Sequence, residues 1–102
     1  MEELTLPIQL YKGKKVGEWN IVDAQDLGNI YLVLLQKNGK TKIFYIRKPV
    51  IKAKSLQLSN DVYELWYKDF EDSKLLTLEE ISNIDIVIEN MNTLINTYSK
   101  FD

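Results

Sequence analysis

Between Lys37 and Lys54 the chain reads KNGKTKIFYIRKPVIKAK, seven cations without an acid, with Phe44 and Tyr45 among them. Cations interleaved with rings are what a groove needs to follow phosphates and stack bases. The residues that would do this are Lys40, Lys42, Arg47, Lys48, Lys52 and Lys54. The competing reading is a solvated strand whose lysines guard an edge against aggregation, and no known nucleic-acid motif accompanies the stretch. A second set with possible chemistry is aromatic. Trp19, Tyr45, Trp66 and Tyr67 lie in strand-like segments. Most such rings pack in cores, but Tyr and Trp are also enriched where proteins bind proteins.

Other chemistries lack their residues. There is no histidine and no cysteine. That removes the commonest general base, the usual zinc ligands and any disulfide. A Ser or Thr nucleophile would need Lys or a carboxylate as its base, and no such motif stands out. The glycines at 13, 17, 28 and 39 fit neither phosphate-loop pattern, and no calcium-loop spacing occurs. Glu79/Glu80 and Glu71/Asp72 are sequence neighbours, which does not make an acid/base pair. The expectation is a protein without catalysis, metal or cofactor.

These residues must be held by the following elements. Thr5–Tyr11 alternates like a strand, with Pro7 confining it to an edge or a strand start. Lys12-Gly13-Lys14-Lys15 is a turn signal, and Val16–Val22 can return as a strand carrying Trp19. Asp23–Gly39 supports two readings. As a helix it has Asp23 as N-cap, a stripe of Leu27, Ile30, Tyr31, Leu34 and Leu35, and Gly39 past its end. As a hairpin it has the run IYLVLL, the turn Asn38-Gly39 and the return TKIFYIR. In the hairpin Leu34 would face Ile43, Val33 Phe44, and Leu32 Tyr45. Val50–Leu58 reads as extended, Ser59-Asn60-Asp61 as a turn, Val62–Phe70 as a strand and Glu71–Lys74 as a loop. Thr77 and Glu80 have capping-box spacing ahead of a stripe of Leu78, Ile81, Ile84, Ile88, Met91, Ile95 and Tyr98, which predicts a long C-terminal helix.

A repeat affects the choice at residues 23–39. Shifted by 54 residues, DLGNIYLVLLQKN lies over EISNIDIVIENMN, with Asn29/Asn83, Ile30/Ile84, Val33/Val87 and Asn38/Asn92 identical. Asp23 and Thr77 then hold matching cap positions, which favours helix in both copies. The fold expected is a single α+β domain of antiparallel strands and helices. Its two similar motifs, about 1–50 and 51–102, would be related by a pseudo-two-fold, with the hairpin as the alternative for 30–46. The groove between the motifs would hold a peptide or flexible segment against Trp19, Tyr45, Trp66 and Tyr67. Nucleic-acid binding through 37–54 is the alternative function.

With 102 residues, 45% hydrophobic and 27% charged, the chain has ordinary globular composition and must be held by its core. Residues 1–54 carry a net +5 and residues 55–102 a net −7, an asymmetry that points to a partner or to mutual attraction of the halves. The longest apolar run, Ile30–Leu35, is too short to span a membrane. The acidic start MEELTLP has no apolar h-region, so no signal peptide is expected, and no lipidation motif is visible. The whole chain, from MEELTLPIQLYKGKK through KNGKTKIFYIRKP to ENMNTLINTYSKFD, resembles the small orphan proteins of filamentous viruses infecting Acidianus. That resemblance transfers no site residue. It implies a hot archaeal host, residence in the host cell cytoplasm, a viral or host protein as partner, and no enzymatic activity. The absence of cysteine suits high temperature.

Overall fold

The computed structural model describes residues 8–48 and 62–99. It is an α+β fold: a six-stranded antiparallel meander curled around a C-terminal helix. A 3-10 turn at Ile8–Tyr11 leads into β1 (Lys15–Val16), β2 (Trp19–Asp26), β3 (Ile30–Lys37), β4 (Lys40–Arg47), β5 (Val62–Tyr67) and β6 (Asp72–Thr77). A short helix α1 (Leu78–Ile81) and a longer α2 (Ile84–Tyr98) follow. Each strand pairs only with its sequence neighbours, in the order β1-β2-β3-β4-β5-β6.

The hairpin reading is correct for residues 30–47, and the helix reading of 23–39 is not. Leu34 faces Ile43, Val33 faces Phe44 and Leu32 faces Tyr45. Asn38 and Gly39 both take positive φ, 52° and 82°, which a two-residue I′ turn requires. The run IYLVLL is apolar on both faces, as suits a central strand, and that outweighs its accidental helical stripe. The two segments of the sequence echo therefore differ. Residues 30–37 are strand β3, whereas Ile84–Tyr98 is helix α2. The expected pseudo-two-fold is not seen among the described residues.

Other differences are local. Residues 8–11 form a 3-10 turn rather than a strand, and β1 is only two residues long. The strand read at 62–70 stops at Tyr67, and the loop read at 71–74 belongs mostly to β6. The segment 49–61, with Lys52 and Lys54, lies outside the described residues.

The capping box is present. Glu80 N–H donates to Thr77 Oγ1 at 3.2 Å, and Thr77 N–H donates to Glu80 Oε1 at 2.8 Å. The expected single helix is interrupted after Ile81. Asn83 starts it again, its Oδ1 accepting from Asp85 N–H at 3.0 Å. One face of α2, with Val87, Met91, Leu94 and Ile95 buried, packs on the inner face of the sheet. There it meets a row of alternate strand residues, including Tyr31, Val33 and Leu35 on β3, Phe44 and Ile46 on β4, and Leu65 and Tyr67 on β5. Burying side chains of this size is worth roughly 1.5–3 kcal/mol each relative to exposure. The end of α2 is tied to β6, because Tyr98 Oη donates to Asp72 Oδ2 at 2.6 Å and its ring stacks on Phe70 at 4.3 Å.

Candidate functional site

Strand alternation decides where the candidate residues point. On β4 the inner face carries Phe44 and Ile46, and two residues earlier in phase comes Lys42, then Lys40. On β3 it carries Tyr31, Val33 and Leu35, then Lys37. The core-facing rows thus end in lysine at the hairpin. Lys37 and Lys40 are direct cross-strand partners, an arrangement in which like charges repel.

Past the core, these lysines, the start of β2 and the last turns of α2 enclose an open cleft of about 1010 Å³. Trp19 stands half-buried on one side. Asn92, Ile95 and Asn96 line the cleft from successive turns of α2. Lys40 is exposed at the mouth. Lys42 is the floor, 5% exposed, with its ammonium 4.8 Å from the Trp19 ring centre and 5.3 Å from that of Tyr67. Lys37 Nζ lies 2.7 Å from Glu18 Oε1. That hydrogen bond, with the lysine charge behind it, holds the Glu18 carboxyl below its usual range. Gly17 turns the chain into this wall at φ 63°, and a Cβ there would meet Asn92 Oδ1 at 2.6 Å. The lining carries three lysines against one glutamate, so the cleft is cationic although the chain is net −2.

Of the aromatic candidates, only Trp19 lines this cleft. Tyr67 is fully buried and stacks on Phe44 at 4.7 Å, beneath Lys42. Tyr45 and Trp66 face the opposite side of the sheet, stacked across β4 and β5 at 6.2 Å. Leu32, Leu34 and Ile43 are half-buried on that outer face. Trp66 Nε1 donates to Glu64 Oε1 at 2.8 Å, and Arg47 lies over the Trp66 ring at 5.7 Å and 3.8 Å from Glu64. A single groove lined by all four aromatics is therefore not formed.

The basic stretch is divided in the same way. Lys40 and Lys42 enter the cleft, while Arg47 is on the outer face. Lys48 is at the far end of the hairpin, 3.0 Å from Asp26 Oδ1 and 4.3 Å from the Tyr31 ring. Asp26 is kept below the ordinary carboxylate range, first by the Gly28 N–H and then by Lys48. Sequence reading missed Lys37, Asn92, Ile95 and Asn96 as neighbours of Trp19. The available signal was the phase of Lys40 and Lys42 with Phe44 and Ile46; the helix face could not be known without the packing.

Among the described residues, no group of three His, Cys, Asp or Glu could hold a metal ion, and no helix is long and apolar enough to cross a membrane. No protein-family model, curated protein or solved structure matches this chain.

Proposed function

We propose that the protein is a non-enzymatic interaction module that holds a peptide or flexible segment in the cleft between the hairpin end of the sheet and α2. The observation that carries this reading is that Trp19, Asn92 and Asn96 line one open cleft. Side-chain amides can both donate to and accept from a peptide backbone, and a half-buried indole gives a neighbouring side chain an apolar wall. This moves the binding place from a seam between repeated motifs to a seam between sheet and helix. In the viral setting that the sequence resembles, the partner is a viral or host protein. Among the described cations of the basic stretch, Arg47 lies on the outer face and Lys48 at the far end of the hairpin beside Asp26, apart from Lys40 and Lys42, which favours a peptide over a nucleic-acid strand.

The test is an amide chemical-shift map with a panel of unstructured peptides. The expected shifts cluster at residues 17–19, 37–42 and 92–99. Shifts confined to Tyr45, Trp66 and their outer-face neighbours, or none with any peptide, would overturn the reading.

A further inference from the structure

We infer that the cleft takes its ligand as an added strand: an uncharged, extended segment that pairs with the free edge of β4 at residues 41–43. The inference rests on the peptide reading above and adds the binding mode and the partner's chemistry to it.

β4 runs over eight residues, Lys40–Arg47, but β5 pairs only with residues 44–47. Past Tyr67 the chain leaves the sheet through a 3-10 turn at Lys68–Phe70, and Glu71, at φ 49°, sends it back as β6. Among the described residues, no strand lies beside residues 40–43 on that side of β4. The hairpin turn decides which main-chain groups are left there. Residues that flank a two-residue turn, here Lys37 and Lys40, form a hydrogen-bonded pair, so the main chains of Lys42 and Phe44 also bond to β3. The N–H groups of Thr41 and Ile43 then face away from β3, toward the place that β5 vacates. Thr41 is among the residues lining the cleft, so this edge borders it. An unpaired edge is a template for another strand.

Charge of either sign is disfavoured in that strand. Asn96 and Ser99 bring the carbonyl end of α2 to the cleft, and its partial negative charge opposes a carboxylate. Lys40, exposed at the mouth, opposes a cation. The amides of Asn92 and Asn96 suit uncharged polar side chains, and Trp19 and Ile95 give methyl groups an apolar wall. Thr and Gln meet both conditions, and Thr favours the extended backbone that edge pairing needs.

The test begins with amide hydrogen exchange on the free protein, where Thr41 N–H should exchange fast and Lys42 N–H slowly. A capped peptide of alternating Thr and Gln should then slow Thr41 exchange roughly tenfold or more. Affinity is read from Trp19 fluorescence in the full chain with Trp66→Phe. An added strand turns only every other N–H to the edge, so of two peptides N-methylated on alternate residues, one should lose binding roughly tenfold or more and the other keep it. Thr41→Pro removes the edge N–H without touching the bonds to β3, and should weaken binding by a similar factor. Replacing the Gln residues by Glu or by Lys should also weaken it. Slow exchange of Thr41 in the free protein, binding that leaves Thr41 exchange unchanged, or equal binding of the two methylated peptides would overturn the inference and leave the peptide reading standing. Tighter binding of either charged peptide would overturn the assignment of an uncharged partner. Failure of the Thr/Gln peptide to bind would overturn the inference, and failure of every peptide in the chemical-shift panel would overturn the peptide reading with it.

Discussion

Gly17 shows how closely the cleft wall is specified by one residue. Its φ of 63° suits glycine, and a methyl group there would press on the Asn92 amide. Gly17→Ala is expected to cost about 1–2 kcal/mol in stability. It should also weaken peptide binding by displacing Asn92. A lower denaturant midpoint with an unchanged slope checks the first effect, and titration with the peptide checks the second. The exposed carboxylates give a second prediction. Glu18, Asp23 and Asp26 are all held below the usual carboxylate range, chiefly by hydrogen bonds from Lys37, from Gln25 and from the Gly28 N–H respectively. The unfolded chain therefore takes up protons first as pH falls. Stability from these groups is complete above the ordinary carboxylate range and is lost as pH drops through their depressed folded values. Asp26→Asn should make that acid limb shallower, measured as thermal midpoint against pH.

The elements differ in how legible they were. The hairpin at 30–47 could be read down to its register, because Asn38-Gly39 allows one turn type and the turn fixes every facing pair. The long helix and its capping box were also legible, since both depend on residues within a turn of each other. What misled was the echo between 26–38 and 80–92. Asn29, Ile30 and Val33 have the same side chains as Asn83, Ile84 and Val87, yet one set sits before and within a strand and the other before and within a helix. Short Ile/Val/Asn patterns carry both periods weakly, and tertiary pairing with β4 decides the first case. The cleft was legible only in part. Trp19, Lys40 and Lys42 could be named, but their meeting with α2 depends on how the sheet curls, which no local pattern encodes. The other named aromatics were separated by strand alternation, with Tyr45 and Trp66 on one face and Trp19 and Tyr67 on the other.

For the molecule as a whole, the sheet is sequential and its cover comes last. Five antiparallel pairings join neighbours in the chain, and only α1 and α2 follow them. A chain ending at Ser82 keeps all six strands but loses Val87, Met91, Leu94 and Ile95 from the inner face. It should bind a hydrophobic dye and aggregate, which light scattering would reveal; a soluble, dye-free product would show that α2 is dispensable to the core. The same order matters during synthesis. As the chain leaves the ribosome, its hairpins can form one after another, each needing only sequence already made. The apolar inner row, with Tyr31, Val33, Phe44 and Leu65, stays uncovered until α2 emerges. The nascent protein is thus most vulnerable between completion of β6 and emergence of α2, and a pause in translation near the start of α2 would be more harmful than one anywhere in the first hairpins.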